Sequence, residues 1–356
     1  MRLAAVEVVP YALPFREPYV TARGVLERRE MALLRLRDEE GTVGLGEAVP
    51  LSLRGGATLA RVVAELSALG ERESLDEAAL RDRATALSAP ARCAALTALA
   101  DLRGKRAAAE RGEPGGESIR PVRCNASLVA GEPTAVAAEA ERWAADGFGS
   151  FKLKLGTGED VAQVRAVREA LGPGARIRVD VNGSWDLETA KRRLVELEPL
   201  DVELAEQPVA TLEEAAELAS STTIPIAADE SVESRADAMR AFELGACAMT
   251  GIKLSKVGGP EAAIEIAEVL PAYITSALDG PVGIAAGAQV AATFAEAGED
   301  QERPGTALAH GLATQRLFAS TVAAVGPALR GDMLHLPEGP GLGVEIDEAA
   351  LEAHRL

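Results

Sequence analysis

Three acidic residues stand at nearly regular intervals, and each ends a short apolar run. They are Asp180 in IRVDVNG, Glu206 in VELAEQP and Asp229 in PIAADES, 26 and 23 residues apart. Each interval matches one strand plus one helix, so the side chains would meet at the same end of neighbouring parallel strands. Converging carboxylates raise one another's pKa unless a cation joins them. Alone, each acid would be a helix N-cap or a solvated strand end; together they predict a Mg²⁺ site, with Mn²⁺ as a substitute.

Lysine residues occur in the same register. Lys152 and Lys154 alternate in FKLKL, so both point to one face of a strand, here the barrel interior. A buried lysine is costly unless it has a partner or a chemical role. We expect Lys152 and the metal ion to lower the pKa of Lys154 towards that of a usable general base. Lys253, 24 residues after Asp229, would face Lys154 across the barrel mouth, whereas Lys256 is interpreted as a surface residue.

A cation beside a lysine suits removal of a proton from the carbon next to a carboxylate. The metal ion would bind the substrate carboxylate and stabilise the enediolate that forms, which supplies the largest share of the barrier reduction. A barrel that has lost catalysis and serves as a scaffold or binding protein is the alternative from another class. The complete set of acids and lysines argues against it. The residues therefore predict a metal-dependent enzyme that acts on a small-molecule carboxylate.

The elements that must position these residues form a repeating pattern in the last two thirds of the chain. Short apolar runs alternate with helical segments, which predicts a parallel α/β sheet, and the period favours a closed barrel. An open doubly wound sheet is the alternative, but Gly44-Leu-Gly46 lacks the continuation of a nucleotide-binding turn. The predicted strands are 122–129, 151–155, 177–181, 202–205, 224–228, 248–254 and 273–277, with 307–312 as the eighth. The predicted helices are 133–145, 159–171, 187–198, 211–220, 233–243, 259–269 and 283–296.

The first third has a mixed α+β pattern. Leu3–Val9 and Met31–Arg37 alternate like strands, and a turn precedes a further run at 42–47. Leu and Ala recur every three or four residues between 58 and 111, which predicts helices. A Gly- and Pro-rich stretch at 112–117 then separates this region from the barrel pattern.

The composition argues against several kinds of partner. The 356 residues carry 55 acidic and 37 basic side chains, a net charge of −18, which repels nucleic acid and anionic membrane surfaces. No run is long and apolar enough for a membrane span, and no targeting segment is visible. The three cysteines are too few and too scattered for a disulfide framework. We expect a cytoplasmic protein without nucleic-acid or membrane partners, and the oligomeric state stays open, a homo-oligomer included.

The motifs around the three acids and the lysines resemble those of the enolase superfamily, specifically its muconate-lactonizing subgroup. The resemblance covers nearly the whole chain and implies a (β/α)₇β barrel over residues 121–324. It also implies an α+β capping domain over residues 1–120, completed by residues 325–356. Mg²⁺ would bind Asp180, Glu206 and Asp229, with Lys154 and Lys253 flanking the reacting carbon. The motifs are Lys-Leu-Lys at 152–154, Asp-Val-Asn at 180–182, Glu-Gln-Pro at 206–208, Ala-Asp-Glu-Ser at 228–231 and Ile-Lys-Leu-Ser-Lys-Val-Gly-Gly at 252–259.

Within the subgroup, residues 275–287 and 310–314 resemble the o-succinylbenzoate synthases of menaquinone biosynthesis. Those lyases eliminate water from 2-succinyl-6-hydroxycyclohexadiene carboxylate. This syn elimination needs only Lys154, as base and then as acid, while Lys253 would stabilise charge or contact the ring. Racemases and epimerases need both lysines, and both are present here. The alternatives are therefore an N-acylamino acid racemase, a dipeptide epimerase or a muconate-type cycloisomerase. The Asp-x-Asp of dipeptide epimerases is reduced here to Asp279 followed by Gly-Pro, which counts against a free-amine dipeptide.

The resemblance also indicates where the substrate would bind. The cap loop at 15–24 would close over it, with Tyr19 covering a ring or packing the loop. Arg16 and Arg23 would hold a second carboxylate or remain solvated. The candidate substrate contacts are Asn182, Tyr19, Arg23, Ser276 and Asp279.

Overall fold

The N-terminal third folds into a four-stranded antiparallel sheet backed by three helices, as the α+β pattern predicts. The structure is a computed structural model that describes residues 1–21, 24–52, 55–70, 75–112, 119–156, 158–297 and 308–356. The strands are β1 (Arg2–Thr21), β2 (Gly24–Asp38), β3 (Val43–Ala48) and β4 (Leu75–Asp76), in the order β3-β2-β1-β4. The helices are α1 (Leu59–Ser67), α2 (Glu77–Ala84) and α3 (Ala89–Arg111). Strands β1 and β2 are longer than the predicted runs because they pair beyond them as a hairpin.

Both faces of the central part of this sheet are buried, so it separates two hydrophobic clusters. On β2, Leu34 packs with the helices of the capping domain, whereas its neighbour Leu33 joins the cluster that fills the barrel side. Gly44 and Gly46 on β3 allow α3 to approach closely, since a Cβ at either position would lie 2.1 or 2.0 Å from a carbonyl oxygen of that helix. The Gly-Leu-Gly motif is therefore a packing feature of the strand.

Seven parallel strands and their crossover helices form the barrel, in the order β12-β11-β10-β9-β8-β7-β6. A short strand, β5 (Val122–Arg123), precedes them. The barrel strands are β6 (Ala126–Leu128), β7 (Ser150–Lys154), β8 (Arg176–Asp180), β9 (Val202–Glu206), β10 (Ile226–Ala228), β11 (Met249–Ile252) and β12 (Ala272–Ile274). The helices are α4 (Pro133–Ala145), α5 (Asp160–Leu171), α6 (Leu187–Leu197), α7 (Leu212–Ala219), α8 (Arg235–Leu244), α9 (Leu254–Val257), α10 (Pro260–Ala267) and α11 (Pro281–Ala297).

Two isolated bridges close the barrel where the sequence predicts an eighth strand. His310 pairs in parallel with Cys124, before β6, and Gly311 pairs in parallel with Thr275, after β12. Residue 307 of the predicted strand lies outside the described residues. Gly311 fits here because a Cβ would lie 2.5 Å from the Thr275 hydroxyl oxygen. The predicted first strand, 122–129, is split, because β5 pairs with a C-terminal strand.

The C-terminal segment contacts both the strand that precedes the barrel and the capping sheet. Its elements are β13 (Ala323–Val325), β14 (Ala328–Arg330), β15 (Met333–His335), β16 (Glu345–Ile346) and α12 (Glu348–Ala353). Strand β15 pairs with β5, while the amide of Ala12 on β1 donates to the carbonyl of His354 at 2.9 Å. The domain boundaries at 120/121 and 324/325 stay a prediction. Among the described helices, none has the length and apolar character needed to cross a membrane.

Helix caps set the ends of the loops that follow three successive barrel strands. The side chains of Asp186, Thr211 and Ser234 each accept a hydrogen bond from the backbone amide three residues later. Thr211 forms a full capping box with Glu214. The helices α6, α7 and α8 therefore start at a fixed short distance after their strands, which keeps the strand ends in register.

Candidate active site

Three carboxylates meet at the C-terminal ends of adjacent strands. Asp180 ends β8, Glu206 ends β9, and Asp229 follows β10 directly. Asp180 and Glu206 are register partners in the parallel ladder. All three side chains are fully buried, and one oxygen from each lies within 4.8 Å of the others. We call these residues the acid cluster.

Lysine ammonium groups surround the acid cluster. Lys152 Nζ lies 2.8 Å from Asp180 Oδ2 and 2.6 Å from Glu206 Oε2. Lys154 Nζ donates to Asp180 Oδ2 at 2.5 Å, and Lys253 Nζ forms an ion pair with Asp229 Oδ2. The structure thus brings together all six residues that the sequence predicts for the metal site and the lysines.

Lys256 also joins this group, so its interpretation as a surface residue is wrong. Its side chain is buried, and its Nζ donates to the carbonyl and, at 3.0 Å, to Oδ1 of Asp229. The cause is α9, which begins immediately after β11. In a helical turn, residues three apart share a face, so Lys256 lies on the same side as Lys253.

Burial and ion pairing shift the pKa values of the cluster in opposite directions. Burial raises the pKa of Asp180, but the ammonium groups of Lys152 and Lys154 outweigh it and hold the net pKa below the usual range. Burial and the Asp180 charge raise the pKa of Glu206. For Lys152, burial lowers the pKa, but the Asp180 and Glu206 carboxylates raise it by more.

The pKa of Lys154 differs from the sequence expectation. Burial is the largest single effect and lowers it, and Lys152 lowers it further, as expected, but the neighbouring Asp180, Tyr19 and Glu206 raise it and the net shift is upward. Within the chain, the ammonium form of Lys154 is therefore favoured. The sequence does not reveal this effect, because Asp180 contacts Lys154 across neighbouring strands.

Backbone conformations outside the usual range support the cluster. Asn182 and Gln207, just after β8 and β9, have φ values of 52° and 39°, in the left-handed region. Gln207 Oε1 accepts hydrogen bonds from the amides of Asp229 (2.8 Å) and Ser231 (3.2 Å), which fixes the loop after β10. Asn182 Oδ1 accepts from Lys154 Nζ at 3.0 Å. Strain of this kind concentrates at functional sites.

The acid cluster fits a hard divalent cation. Its donor set consists of carboxylate oxygens, which Mg²⁺ prefers. The three acids stand at the ends of consecutive strands and are fully buried, which restricts the movement of their side chains. Asp180, Glu206 and Asp229 are the residues that would hold the ion.

A cavity of about 980 Å³ lies between the barrel mouth and the capping domain, and it is lined by the lysines that contact the acid cluster. Asp279 lies behind the cavity wall, where its carboxylate accepts hydrogen bonds from the Ser276 hydroxyl and the Ala277 amide, both at 2.7 Å. Arg16 is exposed and donates to the Arg316 carbonyl at 3.1 Å, and Arg23 lies outside the described residues. The predicted residues that line the cavity are Lys152, Lys154, Lys253, Asn182, Tyr19 and Ser276.

Two buried tyrosines that the sequence did not single out donate hydrogen bonds to carboxylates. Tyr273 on β12 donates its hydroxyl hydrogen to Glu206 Oε2 at 2.6 Å. Burial and the Glu206 charge raise the Tyr273 pKa, so the hydroxyl stays protonated. Tyr11 on β1 donates in the same way to Glu47 Oε2 at 2.7 Å. The only signal in the sequence was that each tyrosine places a polar hydroxyl group within an apolar run, on β12 and on β1.

Two family models match most of the chain. Residues 3–110 match the mandelate racemase / muconate lactonizing enzyme, N-terminal domain, and residues 135–350 match the enolase C-terminal domain-like family. The chain therefore belongs to the enolase superfamily of enzymes, as its motifs predict.

Known members similar to this chain span several reactions. The o-succinylbenzoate synthase of Thermobifida fusca (strain YX) is 38% identical over 262 residues, 69% of this chain and 77% of that protein. Muconate cycloisomerase 1 of Pseudomonas putida is 29% identical over 97% of this chain and 96% of that protein. The crystal structure of the dipeptide epimerase from Enterococcus faecalis V583, complexed with Mg and the dipeptide L-Leu-L-Tyr, matches with a TM-score of 0.84 and 27% identity, over 97% of this chain and 100% of that one.

Proposed function

We propose that this protein is a Mg²⁺-dependent lyase that removes a proton α to a carboxylate and eliminates water, forming o-succinylbenzoate for menaquinone biosynthesis. The placement of Lys154 and Lys253 supports the proton removal, and the choice of the lyase reaction rests on the similarity to the Thermobifida fusca synthase. Each lysine contacts a different member of the acid cluster, and both line the cavity. The three strands that lead to the acids, β8, β9 and β10, lie between them around the barrel. A substrate carboxylate at the acid cluster would therefore have an ammonium group on either side.

We assign the acid cluster to binding the cation, and Lys152 to holding the acid cluster together. Asp180, Glu206 and Asp229 would bind Mg²⁺, or Mn²⁺ in its place, which supplies positive charge for the oxygens of the substrate carboxylate. Lys152 contacts both Asp180 and Glu206, so it limits their mutual repulsion and fixes their separation.

Lys154 is assigned to the proton transfer. Its Nζ, once neutral, takes the proton from the α-carbon, and the C–H electron pair moves towards the carboxylate. The same Nζ then returns the proton to the departing hydroxyl group: the C–O bond breaks, a ring double bond forms and water leaves. Lys253 stabilises charge on the opposite side. Burial and Lys152 lower the pKa of Lys154 and so favour its neutral form, whereas the Asp180 carboxylate raises that pKa.

The cavity wall supplies the substrate contacts. Tyr19 from the capping domain is half-buried and stacks on Phe15 with ring centres 5.4 Å apart, so it presents an aromatic surface to a cyclic substrate. Asn182 and Ser276 present polar groups from the barrel. Asp279 accepts hydrogen bonds from the loop that carries Ser276, and we assign it to fixing the conformation of that loop. A role for Arg23 stays a prediction.

The lyase reaction is supported by the similarity to the Thermobifida fusca synthase. The presence of both lysines keeps isomerisation as the second candidate, by an N-acylamino acid racemase, dipeptide epimerase or muconate-type cycloisomerase reaction. Asp279 argues against a free-amine dipeptide, since its carboxylate is bonded to Ser276 and Ala277 of its own loop and to Ser255 on α9.

A proton NMR assay in D₂O separates the two candidates. The Mg²⁺-loaded enzyme is incubated with 2-succinyl-6-hydroxycyclohexadiene carboxylate and, separately, with N-succinylamino acids. We expect o-succinylbenzoate to form from the first substrate. Deuterium wash-in at the α-carbon of N-succinylamino acids, without dehydration of the cyclohexadiene, would contradict the lyase assignment and support a racemase.

A further inference from the structure

A column of side chains inside the barrel ends at the acid cluster; it consists of Arg178, Tyr273 and Glu206. Arg178 is fully buried, with Nη1 donating to the Ala309 carbonyl at 2.6 Å and Nε donating to Glu203 at 2.5 Å. Its guanidinium carbon lies 5.3 Å from the centre of the Tyr273 ring. Tyr273 in turn donates to Glu206 Oε2 at 2.6 Å. The column thus joins the barrel core to one carboxylate of the cluster.

A glycine on the neighbouring strand makes room for the tyrosine. Gly251 on β11 is the register partner of Tyr273 on β12. A Cβ at position 251 would lie 3.1 Å from Tyr273 Oη and 3.2 Å from Cζ, closer than ordinary contacts. Leu204 and Ala227 pack in the same cluster, and Tyr273 is fully buried. The ring is therefore confined, and its hydroxyl is held against Glu206.

Tyr273 and Lys152 contact Glu206 in different ways. Lys152 is charged and lines the cavity, whereas Tyr273 is neutral and fully buried in the barrel core. A neutral donor held rigidly by packing orients a carboxylate without cancelling its charge. Hydrogen bonds of this kind to metal-binding carboxylates typically contribute about 10- to 100-fold in metal affinity.

We propose that Tyr273 is a positioning residue that orients the Glu206 carboxylate for Mg²⁺, with Arg178 holding the tyrosine ring in place. The proposal rests on the proposed function, because it takes Glu206 as a ligand of the cation. Tyr273 acts through Glu206 and has no contact with the substrate cavity. The competing explanation is that the hydroxyl only completes the packing of the core, which would affect stability and leave Mg²⁺ affinity unchanged.

The chain offers a matched control for this idea. Tyr11 is also fully buried and also donates to a buried carboxylate, Glu47, at 2.7 Å. That pair stands on the capping sheet, where Glu47 also accepts a hydrogen bond from Gly280 just before α11, and no member of the acid cluster takes part in these hydrogen bonds. Tyr11→Phe and Tyr273→Phe therefore remove the same group from the same kind of hydrogen bond, and only one of these bonds involves the acid cluster.

The experiment titrates Mg²⁺ into the full-length protein by isothermal titration calorimetry and measures urea unfolding of each variant. We expect Tyr273→Phe to raise the Kd for Mg²⁺ about tenfold, and Tyr11→Phe to leave it unchanged while lowering stability. If Tyr273→Phe does not fold, Gly251→Ala serves instead: it keeps the hydroxyl but displaces the ring, and we expect a smaller rise in Kd.

Three results would overturn the proposal. An unchanged Kd in Tyr273→Phe or, where that variant does not fold, in Gly251→Ala, would assign Tyr273 to core packing alone and leave the proposed function intact. An equal rise in Kd in Tyr11→Phe would attribute the effect to a general loss of stability. Failure of the wild-type protein to bind Mg²⁺ would instead remove the metal site itself, and the proposed function with it.

Discussion

Glu47 Oε1 of the capping domain lies 2.6 Å from the backbone nitrogen of Gly280, which donates a hydrogen bond to it at the start of α11. The second oxygen, Oε2, accepts from Tyr11. Gly280 follows the loop 275–279, whose residues Ser276 and Leu278 line the cavity. A single buried carboxylate thus fixes the barrel loop after β12 to the capping sheet, and it couples the position of the cavity wall to the capping domain.

We expect the Glu47 carboxyl to make stability decrease as pH rises. Burial and the neighbouring Asp279 raise its pKa from 4.5 to about 7. Because the folded protein holds this proton more tightly than the unfolded chain, the contribution is complete below pH 4.5 and is lost as pH rises through about 7. Urea unfolding of wild type and Glu47→Gln across this range should show the wild-type advantage falling by about 3 kcal/mol. A difference that does not change with pH would contradict the raised pKa.

His310 should produce the opposite slope. Burial and the charge of Arg178 lower its pKa from 6.5 to about 4, and its Nδ1 accepts a hydrogen bond from the Ile274 amide at 3.0 Å. Between these two pH values the unfolded chain binds a proton at His310 that the folded protein does not bind. The free energy of unfolding therefore decreases as pH falls from 6.5 to 4. His310→Asn keeps an acceptor and removes the titration. In urea unfolding, we expect the free energy of unfolding of the wild type to fall by about 3 kcal/mol relative to that of this variant over that range. Parallel curves of unfolding free energy against pH for the two proteins would contradict the lowered His310 pKa.

Lys154→Ala should abolish proton abstraction. Loss of a general base lowers kcat by about 10²- to 10⁴-fold, and deuterium exchange should stop together with product formation. Lys191→Ala is the matched control, because Lys191 on α6 forms a partly exposed ion pair with Glu217 far from the cavity. Circular dichroism checks that both variants fold. Near-normal turnover in Lys154→Ala would show that another group takes the proton.

Removal of divalent cations should inactivate the enzyme reversibly. We expect dialysis against EDTA to abolish turnover, and Mg²⁺ or Mn²⁺ to restore it. Mg²⁺ at a hundred times its Kd should also stabilise the fold by about 2.7 kcal/mol, measured as a rise in Tm. Asp180→Asn should lose this rise because it removes one negative charge from the acid cluster. An EDTA-treated enzyme that retains full activity would exclude a metal-dependent reaction.

Features that depend on local periodicity could be predicted from the sequence. Helix α4 spans Pro133–Ala145, the predicted range, and the other predicted barrel helices agree within a few residues, whereas α9 was not predicted. Asp180, Glu206 and Asp229 converge because strand and helix lengths repeat, so spacing along the chain translates directly into position around the barrel.

Features that depend on contacts between distant strands could not be predicted. Glu206 and Tyr273 meet across the barrel interior, and Glu47 meets Gly280 across the two domains. Nothing in the neighbouring residues of either pair indicates the partner. Lys256 was misplaced for a local reason: β11 ends at Ile252 and a helical turn starts at once, which returns its side chain to the acid cluster.

The contact between Gly251 and Tyr273 also constrains how this barrel can evolve. A methyl group at position 251 would lie 3.1 Å from the tyrosine hydroxyl oxygen, so we expect the effect of a substitution at either position to depend on the residue at the other. A lineage that first gains a side chain at 251 passes through a crowded intermediate in which the ring must move. A lineage that first shortens Tyr273 avoids that intermediate but gives up the hydrogen bond to Glu206. Mutational paths through this pair should therefore be ordered, with the change at position 273 coming first.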